Sequence, residues 1–208
     1  MPQSPSSNPG EAEVAHAAPG ARLPADAGSI LLPIARAAIA AEFGIRLDVD
    51  DSVDWLAAQG ASFVTLTTSG RLSGCIGSVE ACRPLLEDVA GNAYAAAFLD
   101  RRFAPLTVAD LDETTIEVSV LSPTTPLAFS GEADARAGLR PGVDGVVLEW
   151  EGRRATLLPQ VWARVRDPGE FLSHLKLKAG LPPTFWSDTV RLSRYTVTEF
   201  HEERRHER

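Results

Sequence analysis

The chain has 208 residues, of which 44% are hydrophobic, and this predicts one domain, or one domain of two lobes, with ample material for a core. A formal net charge of −8 argues against a partner that is a nucleic acid. No apolar run could cross a bilayer and the first residues lack a signal-peptide pattern, so we expect a cytoplasmic protein, with no membrane partner, in which Cys75 and Cys82 are free thiols.

The first predicted elements follow an N-terminal extension. Residues 1–27 are rich in Pro, Ala, Ser and Gly, a composition that predicts disorder. Ser29 can cap a helix that runs to about residue 43. Residues 61–67 alternate apolar and polar side chains, and a Thr-Ser-Gly turn leads from them into a return strand over 71–76. This pattern predicts a β-hairpin.

Strands and helices also alternate through the rest of the predicted domain, which spans residues 28–200. Residues 115–121 predict a half-buried strand that turns Glu117 and Ser119 away from the core. The other predicted elements are a helix opened by Pro84, strands over 145–150 and 153–158, a helix starting at Asp167-Pro168, a strand over 189–200 and a solvated charged tail over 201–208. Hairpins with interspersed helices predict an α+β fold of mostly antiparallel sheets with helices packed on them.

Residues 70–78, Gly-Arg-Leu-Ser-Gly-Cys-Ile-Gly-Ser, form the most informative segment. Cys75 lies between Gly74 and Gly77 in a strand-like context. Glycine is used where the backbone needs φ > 0 or where another group comes close to it. Cys75 is therefore either a reactive thiol at a cleft or a small buried side chain at a tight contact. The sequence leaves both interpretations open.

Several motifs, in the same order, resemble the AMMECR domain family over roughly residues 30–200. They are Leu72-Ser73-Gly74-Cys75-Ile76-Gly77, Asp100-Arg101-Arg102-Phe103-Ala104-Pro105-Leu106, Glu117-Val118-Ser119-Val120-Leu121-Ser122, Gly142-Val143-Asp144-Gly145, Leu157-Leu158-Pro159-Gln160 and Lys178-Ala179-Gly180-Leu181-Pro182. The resemblance implies an α+β fold of two unequal lobes, with a cleft lined by the first motif. Ser73 replaces the family's usual arginine, and Lys176 stands where the family often has a cysteine, so a mechanism with two cysteines is not expected.

The resemblance also implies partners. In prokaryotes, similar proteins are grouped with a Memo-like protein, related to non-haem iron dioxygenases, and with a radical SAM protein, under the label AmmeMemoRadiSam system protein A. This implies a component of a modification system, although function argued from a shared fold is analogy. Whether the chain forms a homo-oligomer stays open.

Few residues could support chemistry. A Cys75 nucleophile needs a cation, helix N-terminus or base beside it. His16, His201 and His206 fall in predicted tails, so a Cys–His pair would have to join Cys75 to His174. The predicted fold has two cysteines and one histidine, without CxxC or HExxH spacing, so we expect no metal site. It has no phosphate-binding loop either, and we expect no cofactor.

Two hypotheses follow for the predicted cleft. We favour a non-catalytic adaptor for a Memo-like or radical SAM partner. The alternative is a small enzyme or ligand-binding component that uses Cys75 as a nucleophile, with Arg102 either anchoring an anion or only stabilising a helix end. The remaining predicted cleft residues are Leu72, Ser73, Gly74, Ile76, Gly77, Ser78, Asp100, Phe103, Gln160 and Lys178.

Overall fold

The computed structural model describes residues 23–203. These residues form four α-helices: α1 (Gly28–Glu42), α2 (Leu85–Phe98), α3 (Glu132–Gly138) and α4 (Pro168–Lys178). They also form ten strands: β1 (Gln59–Gly60), β2 (Ser62–Thr68), β3 (Arg71–Gly77), β4 (Arg83–Pro84), β5 (Thr114–Leu121), β6 (Thr125–Pro126), β7 (Gly145–Trp150), β8 (Arg153–Leu157), β9 (Arg191–Tyr195) and β10 (Val197–His201). No helix among the described residues has the length and apolar character that a membrane span needs.

Two four-stranded antiparallel sheets divide the fold into two lobes, which confirms the α+β prediction. The first sheet has the strand order β10-β5-β2-β3, and α1 and α2 pack on one of its faces around Leu31, Val64 and Val118. The second has the order β6-β9-β7-β8, and α3 and α4 enclose a separate core that includes Leu148 and Phe171. Each lobe therefore has its own hydrophobic core.

Local signals in the sequence explain where several of these elements begin and end, but the expected Ser29 cap is wrong, because α1 begins at Gly28 and has no side-chain cap. The β2–β3 hairpin turns at Ser69 and Gly70, both with positive φ, as a two-residue hairpin turn requires. Asp167 caps α4 by accepting a hydrogen bond from Glu170 N at 2.9 Å, and Pro168 occupies the first helical position, where its missing N–H costs nothing.

The predicted final strand is wrong in one respect, because residues 189–200 form two strands in different sheets. β9 pairs with β7 in the second lobe, and β10 pairs with β5 in the first. The chain also crosses between β5 and β6, through Ser122. The two crossings are bonded together: Ser122 N donates to Thr196 O at 2.8 Å, and Thr196 N donates to Ser122 Oγ at 2.9 Å. Alternation alone could not reveal this change of sheet.

The first lobe includes packed residues on both sides of the predicted domain, 28–200. Leu23 packs against the first core, and Ala27 is fully buried. At the other end, Glu202 accepts hydrogen bonds from Arg36 Nε at 2.7 Å and from Ile116 N at 3.0 Å. The boundaries predicted at 27 and 201 therefore lie within packed structure, while the rest of the predicted extension and tail falls outside the described residues.

Lys176 belongs to the core of the second lobe. Its side chain is 1% exposed, and its Nζ donates to Glu132 Oε1 at 2.7 Å and to Pro183 O at 3.0 Å. Burial raises the pKa of Glu132, but hydrogen bonds from Lys176 and Arg136 outweigh it and hold that pKa below its usual range. The lysine at this position therefore stabilises the α3–α4 contact.

Candidate functional site

The two glycines beside Cys75 are explained by close packing. A Cβ on Gly74 would lie less than 3.0 Å from the backbone carbonyl of Ala96, because β3 runs directly against α2. A Cβ on Gly77 would come equally close to the Phe63 ring. Neither glycine has positive φ. Since side chains alternate along a strand, the contact between Gly74 and α2 turns Cys75 to the opposite face of the sheet.

Cys75 ends a row of four side chains that crosses this opposite face. In the strand register, Cys75 faces Thr65, Thr65 faces Glu117, and Glu117 faces His201. Thr65 Oγ1 donates to Cys75 Sγ at 3.4 Å, and His201 Nδ1 lies 3.4 Å from Glu117 Oε2. The pairing of adjacent strands thus places a thiol, a hydroxyl, a carboxylate and an imidazole side by side.

The inner part of this row borders a cavity of about 230 Å³ between the two lobes. The first sheet supplies most of the wall, and the second lobe closes it with Leu158 and Gln160. The lining residues are Phe63, Thr65, Cys75, Glu117, Ser119, Leu121, Leu158, Gln160 and Val197. Cys75 and Gln160, which the sequence analysis placed in one cleft, both line this cavity.

Asp100 and Arg102 hold the backbone of Cys75. Cys75 N donates to Asp100 Oδ2 at 3.0 Å, and Arg102 Nη2 donates to Cys75 O at 2.8 Å. Arg102 also donates from Nε to Asp100 Oδ1 at 2.9 Å and from Nη2 to Oδ2 at 2.7 Å, with its guanidinium 5.3 Å from the centre of the Phe103 ring. Because β3 is an edge strand, this pair replaces the neighbouring strand that Cys75 lacks.

The Asp100–Arg102 pair predicts a stability change in acid. The Arg102 guanidinium holds the pKa of Asp100 well below its usual range, against the opposing effect of burial and with help from Cys75 N. An aspartate in an unfolded chain has a pKa of about 3.9, so this stabilisation is complete above that pH and is lost as pH falls toward the lower folded value. We expect urea midpoints measured from neutral pH to about pH 3 to fall more steeply for the native protein than for Asp100→Asn.

Asp110→Asn is the matched control for this titration. Asp110 also has a lowered pKa, caused by hydrogen bonds from Thr107, but it lies outside the Cys75 segment. In Asp110→Asn, the urea midpoint should lose only the part of its fall at low pH that Asp110 causes. The part caused by Asp100 should remain. If the urea midpoint of Asp100→Asn fell with pH as steeply as that of the native protein, Asp100 would not be the source of this acid sensitivity.

The other predicted residues of the first motif do not line the cavity. Ser73 sits at a β-bulge, where the register skips from Gly74 to Leu72, and its Oγ lies 2.8 Å from Thr68 Oγ1. Leu72 is 49% exposed, and Ile76 packs against the first core. Ser78 Oγ donates to Asp88 Oδ1 at 2.7 Å.

His174 and Lys178 lie away from Cys75, on α4 in the second lobe. His174 is exposed, and its Nε2 lies 3.8 Å from Glu170 Oε1 on the same helix. Lys178 is exposed at the last position of α4. Neither lines the cavity, so the structure does not form the Cys75–His174 pair. The histidine in the Cys75 row is His201, because β10 continues to pair with β5 past the predicted end of the domain.

Comparisons with known proteins agree with this architecture. Residues 32–200 match the profile of the AMMECR1 family. The chain belongs to the AMMECR1 family. A protein of Methanothermobacter thermautotrophicus is 40% identical over 191 residues, which cover 88% of this chain and 98% of the relative. Protein MJ0810 of Methanocaldococcus jannaschii is 38% identical over 144 residues, covering 67% of this chain and 72% of its own.

A solved structure shares the fold. The crystal structure of the uncharacterised protein PH0010 from Pyrococcus horikoshii superposes with a TM-score of 0.70 at 32% sequence identity. The match covers 86% of this chain and 93% of PH0010. The family profile therefore confirms the family assignment made from the motifs, and the structural match confirms the α+β fold.

Several residues that line this cavity were not predicted from the sequence. Glu117 and Ser119 were correctly placed on the face away from the helices, but Ser119 is buried because the second lobe covers that face. Thr65 alternates with core residues in the same way on β2. The alternation of apolar and polar residues on β2 and β5 placed these side chains on the face away from α1 and α2. It could not show that the second lobe covers that face.

Proposed function

We propose that this AMMECR1-family protein is a non-catalytic accessory component that binds a partner through the cavity between its lobes. The observation that carries the proposal is the environment of the cavity thiol. Among the nine lining residues there is no His, Lys or Arg to activate Cys75. The nearby Arg102 donates to Cys75 O and to Asp100 instead.

The size of the cavity supports binding of a side-chain-sized group. Sites for drug-sized ligands and cofactors usually enclose roughly 300–1,000 Å³. At about 230 Å³, this recess suits a smaller group presented by a larger molecule. Its mixture of apolar walls with a few hydroxyl, amide and carboxylate groups is typical of a recognition pocket.

The partners we propose are a Memo-like protein and a radical SAM protein, as components of one modification system in the cytoplasm. The family assignment supports this choice by resemblance, and two cysteines without a disulfide suit a reducing compartment.

Thiol catalysis remains the second candidate, favoured by the Thr65 hydroxyl that donates to Cys75 Sγ. In that function the Cys75 thiol would add to the carbon of a polarised double bond of a substrate held in the cavity: as the S–C bond forms, the π electron pair moves to the other atom of the double bond and the thiol gives up its proton. Glu117, next in the row beyond Thr65, is the lining residue that could accept a proton through a bridging water.

Copurification with tagged protein tests the proposal. The native chain and Cys75→Ser should retain the Memo-like or radical SAM protein of the same organism, because binding does not need the thiol. Val197→Phe should lose the partner, because the larger ring fills the cavity from β10. Retention by Val197→Phe, or no retention by the native chain, would refute the proposed function.

Alkylation by iodoacetamide separates the two candidates. The reaction is followed from about pH 5 to about pH 9, a range in which both activated and ordinary thiols lose their protons. Over this range Cys75 should react no faster than the exposed Cys82. A Cys75 that reacts much faster than Cys82 at the acid end would favour catalysis.

A further inference from the structure

The charge of the cavity is set by one carboxylate. Among residues 23–203, Glu117 is the only acidic residue in the lining, and its side chain is 32% exposed. Ser119 Oγ donates to Glu117 Oε1 at 3.2 Å, and His201 lies beside Oε2. Among the described residues, no lysine or arginine forms a salt bridge with Glu117. A negative group thus borders the cavity without a strong fixed cation to neutralise it.

The rest of the lining fits an aliphatic chain. Phe63, Leu121, Leu158 and Val197 supply apolar surface, while Thr65 and Ser119 place hydroxyl groups next to Glu117. An anion would be repelled by Glu117, and a neutral apolar group would leave its carboxylate without a new partner. A cation on a short hydrocarbon stem would satisfy both parts of the surface.

We infer that the cavity binds an alkylammonium group, with the ammonium against Glu117 and the aliphatic stem between Phe63 and Leu158. This inference rests on the proposed function and names the chemistry that the site recognises. An ammonium donates up to three hydrogen bonds, which Glu117 and the hydroxyls of Thr65 and Ser119 could accept.

A neighbouring groove identifies the source of the group. Gln160 and Val197 line both the cavity and an open groove of about 740 Å³, whose lining includes Val143 and Ala163. Gln160 Nε2 donates to Glu199 Oε1 at 3.0 Å at this junction. A free amine would need only the cavity, whereas an extended segment could lie in the groove and extend a lysine side chain into the cavity. The structure therefore points to a lysine on a segment of the partner protein.

Methyl NMR of the full chain tests the ammonium. The probes are n-butylammonium and its neutral counterpart n-butanol, followed through the methyl groups of Leu121, Leu158 and Val197. We expect saturable shifts with n-butylammonium and binding of n-butanol weaker by about tenfold. Glu117→Gln should remove the difference between the probes, and Glu87→Gln, which removes an exposed carboxylate from α2, should preserve it.

A pentapeptide with a central lysine among alanines, blocked at both ends, tests the source. It should bind more tightly than n-butylammonium and also shift the methyl NMR signals of Val143 and Ala163. Acetylation of its lysine should abolish this tighter binding. Equal binding of n-butylammonium and n-butanol by the native chain would overturn the inference without any variant. A free amine that binds as tightly as the peptide would overturn the lysine source. Neither result would affect copurification, so each failure is distinguishable from failure of the proposed function.

Discussion

Replacing Gly74 with alanine is expected to destabilise the protein by about 3 kcal/mol, the upper part of the usual range for overpacking. The added Cβ would lie less than 3.0 Å from the carbonyl of Ala96. Both sides of this contact are backbone, held by the β2–β3 ladder and by the hydrogen bonds of α2, so neither can move without breaking regular structure. Urea unfolding followed by circular dichroism measures the loss.

Gly131→Ala is the matched control. Gly131 precedes α3 in the second lobe, its φ is extended, and a Cβ there would meet nothing within 4 Å. We expect this change to cost at most about 1 kcal/mol, the preference of a helix N-cap for glycine over alanine. Equal destabilisation by the two substitutions would show that close packing is not the reason for glycine at position 74.

Asp88→Ala is the second change with a large expected effect, a loss of about 3–5 kcal/mol. Asp88 is 1% exposed and accepts five hydrogen bonds, from Ser62 N, Ser62 Oγ, Ser78 Oγ, Arg83 Nε and Asn92 Nδ2, at 2.7–2.9 Å. Its removal would leave the buried Ser62 N on β2 without an acceptor and take one of the acceptors of Asn92 Nδ2 on α2, and an unpaired buried donor keeps its full desolvation cost.

Thermal and urea unfolding measure this loss, with Glu87→Ala as the control. Glu87 is exposed and adjacent to Asp88 on the same helix, so its replacement should change the free energy of unfolding by no more than about 0.5 kcal/mol. An Asp88→Ala protein as stable as the control would mean that the network around Ser62 contributes little.

Much of the fold could be predicted because its local signals agree with its tertiary structure. Ser69-Gly70 and Glu151-Gly152 have the positive φ values of hairpin turns, and α4 starts at its predicted cap. The helix α3 was missed, since its seven residues contain only one buried residue, Ala135, and so show no apolar stripe.

The site was less predictable, because it depends on strand register. Motifs drew attention to Cys75 and Gln160, which line the cavity, whereas the Glu117–His201 contact exists only once β10 pairs with β5. The motif residues Asp100 and Arg102 were expected to line a cleft. They bind backbone atoms of Cys75 instead, a role that side-chain chemistry alone cannot distinguish from anion binding.

The paired crossings at Ser122 and Thr196 have a mechanical consequence. Both covalent connections between the lobes pass through this one point, so it acts as a hinge for any rotation of one lobe against the other. Leu121 and Val197, which adjoin the two crossings, also line the cavity. Displacement grows with distance from the rotation axis. Such a rotation would therefore separate the two lobes most where they meet far from Ser122 and Thr196. The end of the cavity at Leu121 and Val197, beside the axis, would keep its dimensions while its more distant parts open.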